Sequence, residues 1–425
     1  MAPRKPRRRI LWATFAILLL GATAVGTELV ARLFTPPWPA YALRPAPVSL
    51  DSVARWHSGM PEIPYVINSW TMRDRERSFN RPADVGFRTA FIGDSFLEGG
   101  FTRAPLTARV EGYLVEAGHG DVEAINLGVS GTGPVEYYYR TREVALRLEP
   151  DLVVLVFYSG NDVVGQRFPP PASRPWVAEL PQPSVLGDIA PHATWHIVNA
   201  LRLSGAARGG RYAPNERELI ADALSKPAAE GLPLIGKMMH RYYFPEVDEA
   251  KIHAILARGG ERFWSAFRPR RFDREVLQGW ILFGLLSWEL DEARRALTPE
   301  EADAQVSRAN IDVTLTWLKG IDALVRGRGK RLLIAVAPVG TVDPEFEGLW
   351  SPWGRYYAFT QARGADHRAM VAALGQSGLR FVDLEPDLRG KPGTYRKTDM
   401  HWTEVGHEVV AERLAREIAA LRPAK

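Results

Sequence analysis

From residue 88 onward, apolar positions fall into short continuous runs separated by stretches with helical spacing. RTAFIG (88–93), EAINLG (123–128), DLVVLVFYSG (151–160), RLLIAVAP (331–338) and LRFVDL (379–384) read as strands. RTAFIG reads as a short buried strand, because Phe91 and Ile92 are strand formers and a glycine ends the run. Helices are expected at about 103–118, 134–148, 303–327 and 358–376, and from Thr403 to about Leu421. Pro134 suits the first helical position of the second. In the last, Val405, Val409, Val410, Leu414, Ile418 and Leu421 mark an apolar face, with Thr403 as the cap. Strand, helix, strand in this order predicts an α/β domain: a parallel five-stranded sheet with helices on both faces.

The third and fourth strand runs lie about 170 residues apart, far more than one crossover requires. An insertion at 163–302 is therefore expected. It opens with RFPPPASRPWVAELPQP and continues as helical segments such as REVLQGWILFGLLSWELDEARRAL, whose charges make it a buried helix rather than a membrane span. The domain scheme is then a basic N-terminus and anchor at 1–34, a proline-rich linker and extended arm at 35–84, and a first core part at 85–162. The insertion at 163–302 and a second core part at 303–425 complete it. Five prolines within TPPWPAYALRPAP (35–47) predict a stiff spacer, and INSWTMRDRERSF (67–79) an arm laid on the domain surface.

Charge changes the picture at the N-terminus. The formal net charge is +5, and Arg4, Lys5, Arg7, Arg8 and Arg9 account for all of it, so the remainder is neutral and nucleic acid is not expected as a partner. Residues 10–27 follow, 18 positions without a charge, which as a helix span roughly 27 Å against a hydrocarbon core of ~30 Å. Positive charge before the run orients its start toward the cytoplasm. The expectation is a single-pass inner-membrane anchor with the folded part on the periplasmic side. Ala22-Thr23-Ala24 resembles a signal-peptide cleavage site, but the run is longer than such a core and continues as ELVARLF, which favours an uncleaved anchor. The chain has no cysteine, hence no lipid attachment through one, no disulfide and no thiolate metal site.

Each strand end delivers polar or glycine-rich residues: Gly93-Asp94-Ser95, then NLGVSGTGP with Gly128, then Ser159-Gly160-Asn161-Asp162. After the fifth strand TDMHWTEVGH presents Asp399 and His401 just before the last helix. In a parallel sheet these ends share one edge, where ligands bind. Serine becomes nucleophilic when a base takes its proton, and His401 is the base at hand, with Asp399 to hold the imidazole through Nδ1. The N–H of Ser95, the N–H of Gly128 and the side-chain amide of Asn161 are the candidate oxyanion donors. Asp94 reads as support for the serine turn, and Gly99 and Gly100 as room beside it.

Other chemistries find less. His192 and His196 in HATWH have i, i+4 spacing without a zincin signature, and no glycine-rich stretch ends in Gly-Lys-Ser/Thr. No cofactor or metal is expected. Trp176, Trp195, Trp264, Trp280 and Trp288 fall in the insertion, where aromatic faces suit sugar rings but packing is the commoner use.

The blocks GDSF, NLGVSGTGP, SGND and DMHW resemble those of the SGNH (GDSL-type) hydrolases. The resemblance implies a flavodoxin-like three-layer fold and ester hydrolysis through a serine-bound acyl group. Phe96 stands where leucine is commonest, and Asp399 stands two residues before the histidine rather than three, as in branches that include the alginate O-acetyltransferases. The N-terminal part resembles a membrane-anchored bacterial subset in which ELxxRLF precedes NSxGxRDxE. Here the residues are ELVARLF and NSWTMRDRE, with Thr71 in place of glycine. The leading expectation is an extracytoplasmic serine esterase acting on a small-molecule or carbohydrate ester of the envelope. The alternatives are a polysaccharide O-acetyltransferase using the same Ser95, His401 and Asp399, and a non-catalytic envelope binding protein.

Overall fold

The computed structural model describes residues 6–34, 68, 70, 72–100, 102–163, 193, 216–267, 278–295, 297–397 and 400–423. Contacts divide the chain into two units: residues 1–49, 69–71 and 171–210, and the remainder.

In the first unit, helix α1 runs Pro6–Phe34. Its stretch Thr14–Ala31 is long and apolar enough to cross a membrane, the one such helix among the described residues. Its Glu28 is buried and accepts the Ala193 N–H at 2.9 Å.

The second unit holds the sheet. In chain order its elements begin with β1 (Phe87–Ile92), α2 (Ser95–Glu98), α3 (Leu106–Glu116), β2 (Val122–Asn126), α4 (Pro134–Glu143) and β3 (Leu152–Tyr158). The inserted helices are α5 (Glu216–Ser225), α6 (Ala228–Tyr242), α7 (Glu249–Ala257), α8 (Gly260–Phe267) and α9 (Gln278–Glu289). Then come α10 (Pro299–Ala304), α11 (Arg308–Arg326), β4 (Arg331–Ala337), α12 (Pro344–Trp350), α13 (Gly354–Ser377), β5 (Phe381–Asp383), α14 (Glu385–Leu388) and α15 (Glu404–Leu421).

All strand pairs are parallel, in the order β2-β1-β3-β4-β5. This is the flavodoxin-like order, which places a ligand crevice at the carboxyl ends of β1 and β3, where the chain switches direction across the sheet. β3 is buried along its whole length, as its unbroken apolar run requires. Helices α3 and α15 pack together, and α4, α11 and α13 form a separate group in which α11 contacts both of the others.

Two helices differ from the sequence reading. The segment read as 303–327 is two helices, because Thr298 forms a capping box with Glu301 and Ser307 caps a fresh start by accepting the Asn310 N–H. The segment read as 134–148 ends at Glu143 and continues as a 3-10 turn over Ala145–Leu148. The apolar segment of the insertion forms α9, and Glu289 at its end is buried, paired with Arg258 at 2.6 Å and accepting the Tyr356 N–H at 2.8 Å. Trp264 is core: its ring lies where a Cβ on Gly231 would fall, and its Nε1 donates to Lys226 O at 3.0 Å. Trp288 is covered by the Arg294 guanidinium 3.4 Å above its ring. Trp176, Trp195, His192 and His196 lie outside the described residues.

Candidate active site

The apolar run of β1 stops at Ile92 because Asp94 caps a new helix. Its Oδ1 accepts the Phe96 N–H at 2.9 Å, and its carbonyl accepts the Glu98 N–H at 2.9 Å. The result is the single turn α2, with Ser95 as its first residue. Gly99 ends that turn at φ 67°, and its N–H donates to Ser95 O at 3.0 Å. A Cβ at Gly99 would lie 3.2 Å from both Arg73 Nη1 and His407 Cε1, so the space beside this glycine is already filled.

His401 reaches the same place from the far end of the chain. It lies within the segment closed by the antiparallel bridge of Tyr395 with Trp402, two residues before the cap of α15, where Thr403 Oγ1 accepts the Gly406 N–H. Its Nε2 stands 2.8 Å from Ser95 Oγ, across 306 residues of sequence. Ring packing fixes the imidazole. Phe96 stacks on Tyr158 at 3.9 Å and on His401 at 5.1 Å, while Trp402 meets Phe96 edge-on at 4.9 Å. Asp399, expected to orient the histidine, lies outside the described residues.

Asn161 is in reach of the serine turn: its Nδ2 donates to Asp94 Oδ2 at 3.0 Å, which uses one of its two N–H bonds. Gly128 corrects the sequence reading. Its N–H donates to Asn126 Oδ1 at 2.8 Å and is committed within its own loop. The glycine is required instead by crowding, since a Cβ would lie 2.6 Å from Glu98 N and 2.9 Å from Leu97 Cγ. Leu127 N and Val129 N continue the ladder to Phe91 O and Gly93 O, which brings this loop against α2. Gly128→Ala should therefore shift α2 or destabilise the domain by about 1–3 kcal/mol. Thermal melts beside Gly112→Ala, where a Cβ meets nothing within 4 Å, measure it. Gly131, three residues further on, has φ 74° and open space at its Cβ, and its N–H has no protein partner among the described residues.

Two buried carboxyl groups lie beneath the serine. Burial raises the pKa of Asp94, against the Phe96 and Asn161 donors. Asp162 is held well above the usual carboxylate range, first by burial and then by the Asp94 charge. Asp162 Oδ2 accepts the Tyr158 N–H at 2.8 Å, and the Tyr137 hydroxyl donates to the carboxyl at 3.1 Å. These bonds close the SGND turn at the end of β3.

Several residues that organise the site were not singled out from sequence. Glu98 is buried and accepts both the N–H and the hydroxyl of Ser130, at 2.6 and 2.7 Å. His367 on α13 links Ser159 Oγ, 2.8 Å from Nδ1, to Asp383 and Glu385, 3.1 and 3.2 Å from Nε2. Ser159 is fully buried, so this serine–histidine–carboxylate chain braces the turn and offers no nucleophile to a substrate.

His407 is a further buried histidine. Burial first, and then the charges of Arg109 and Arg73 beside it, lowers its pKa from 6.5 to about 3. Between those values the unfolded chain binds a proton that the folded chain refuses, so this group makes stability fall as pH drops from 6.5 toward 3. Asp94 and Asp162, with raised values, act in the opposite sense as pH rises above the ordinary carboxylate range. The comparison that isolates His407 is the wild type against His407→Phe: the melting temperature of the variant should depend less steeply on pH between 6.5 and 4.

Residues 297–425 match the family model described as the SGNH hydrolase-like domain of acetyltransferase AlgX. The chain is 25% identical over 193 residues to the probable alginate O-acetylase AlgJ of Pseudomonas aeruginosa, an alignment that spans 45% of each protein. Among solved structures, a GDSL-like lipase from Bacteroides thetaiotaomicron aligns at 11% identity and a TM-score of 0.34, over 80% of this chain and 92% of that one. A lipase/acylhydrolase from Enterococcus faecalis aligns at 13% and 0.32, over 80% and 99%. The sheet is parallel in the order 2-1-3-4-5, and the C-terminal third, residues 297–425, is similar to the SGNH hydrolase-like domain of that family model.

Proposed function

We propose that this protein transfers an acyl group through Ser95, taking it from an ester donor and delivering it to a hydroxyl of an envelope carbohydrate. The observation that carries this reading is the 2.8 Å contact between Ser95 Oγ and His401 Nε2 at the carboxyl edge of the sheet. Ser95 Oγ attacks the acyl carbonyl while His401 Nε2 takes its proton, and the leaving alcohol departs with that proton. The acceptor hydroxyl then gives its proton to His401 and attacks the acyl-serine, and Ser95 Oγ leaves and is reprotonated. Water in place of the acceptor makes the same site an esterase. Asp399 is assigned the orienting role at His401. The oxyanion is assigned to the Ser95 N–H, the second N–H of Asn161 and the Gly131 N–H, in place of the committed Gly128 N–H.

Transfer is preferred to hydrolysis because the matched family model and the curated relative both carry acetyl-transferring names. Helix α1 is assigned as an inner-membrane anchor with the sheet domain on the periplasmic side, supported by the basic cluster before Thr14–Ala31. The test is p-nitrophenyl acetate with detergent-solubilised full chain, with and without a mannuronate oligosaccharide as acceptor. Ser95-dependent appearance of acetylated sugar is expected. Ser95-dependent release of acetate alone, unchanged across carbohydrate acceptors, would make the protein an esterase.

A further inference from the structure

Arm residues 68 and 72–77, read from sequence as surface packing, are built into the catalytic edge. Asn68 turns it: Oδ1 accepts the Met72 N–H at 3.0 Å and Nδ2 donates to Arg75 O at 3.1 Å. The turn aims Arg73 and Asp74 inward, where they are 2% and 5% exposed. The Arg73 guanidinium donates to the carbonyls of Glu98, Gly99 and Thr102, which are the end of the helix that begins with Ser95 and the turn after it. Carbonyls at a helix C-terminus have no partner within the helix, and a guanidinium fork suits several at once.

The same dipeptide holds the neighbouring loop. Asp74 Oδ2 accepts the Asn126 N–H at 2.9 Å, and Arg73 O accepts from Asn126 Nδ2 at 3.0 Å. Asn126 in turn donates to Leu97 O at 3.3 Å and accepts the Gly128 N–H at 2.8 Å. Asp74 is itself fixed by Arg77, through Nε and Nη2 at 2.9 Å each, and Arg77 is bonded to Glu111 and to Ala124 O at 2.7 Å each. One dipeptide outside the sheet thus ties together the nucleophile turn and the loop after β2.

We infer that Arg73 and Asp74 are positioning residues for Ser95 and for the 126–131 loop, so that the arm is a working part of the active site. This rests on the serine acyl-transfer reading for its kinetic consequence, and on hydrogen bonding alone for its structural one. A misplacement on the order of 1 Å at a reacting group costs about 10²-fold in rate. In the full chain, Arg73→Ala should lower kcat for p-nitrophenyl acetate about 10²-fold with KM changed by less than about threefold. Arg73→Lys, which keeps the cation but not the fork, should fall between. Guanidinium ion at non-denaturing concentration should restore kcat to Arg73→Ala and leave wild type unaffected.

Amide exchange gives the readout that does not need activity. Arg73→Ala should lose protection at Glu98, Gly99, Thr102 and Gly128 while β3 and β4 keep theirs. Should Arg73→Ala fail to fold, Arg73→Lys decides on the same readouts. Unchanged exchange at those four amides in a folded variant overturns the clamp, whatever the turnover. Altered exchange with no Ser95-dependent turnover in wild type would leave the clamp standing and remove the acyl-transfer reading beneath it. Equal falls in protection over all strands, with no guanidinium rescue, would reduce Arg73 to general stability and overturn the inference.

Discussion

Ser95→Ala is expected to lower the turnover of an activated acetyl ester by about 10⁴-fold or more, while the melting temperature moves little. The expectation follows from the division of labour at the site. In the proposed transfer Ser95 Oγ, 2.8 Å from His401 Nε2, is the atom that would form the acyl bond, so its loss would remove the pathway rather than weaken it. His401→Ala should lose nearly as much, and the double variant little more than either single one, because the two act as a unit. Ser159→Ala is the control. That serine also faces a histidine, at 2.8 Å, but is fully buried, so its loss should leave the chemistry within about tenfold of wild type.

Trp402→Ala is expected to cost about 3–5 kcal/mol of stability and to reduce turnover of the fraction that remains folded. Trp402 is 1% exposed and packs edge-on against Phe96 and against His407, 5.6 Å away. Phe96 is the ring that stacks on His401, so the hole left by the indole is next to the layer that sets the imidazole plane. Trp402→Phe should recover much of the stability. Chemical denaturation of the two variants, with turnover corrected for the folded fraction, separates the packing loss from the loss of alignment.

The strands and the last helix were legible because each is a long, uniform signal: β3 as an unbroken apolar run, α15 as a 3.6-residue stripe behind a threonine cap. The parallel sheet followed from the alternation of strands and helices, while its flavodoxin-like order was implied only by the family resemblance. Ser95 stood out because it follows a strand end and His401 because it precedes the last helix, and the fold brings the two side chains to 2.8 Å. The part played by Gly128 was not legible, because sequence does not distinguish a glycine kept for its N–H from one kept for lack of a side chain. Gly128 is of the second kind, crowded by Leu97 and Glu98. The Arg73–Asp74 clamp was illegible for another reason: a charge-rich stretch reads as solvated, and only the fold brings buried carbonyls to meet it. The break at Ser307 was lost because apolar spacing continues across it, while the cap that starts α11 depends on one side-chain bond.

The central claim, that an acyl group passes through Ser95 Oγ, is tested most directly by trapping it. The full chain would be mixed with p-nitrophenyl acetate, quenched in acid during turnover, and digested for peptide mass spectrometry. The account predicts an acetyl group on Ser95, absent from Ser95→Ala and retained longer in His401→Ala variants that still acylate. Turnover by wild type with no acetyl on Ser95 and with undiminished rate in Ser95→Ala would contradict it.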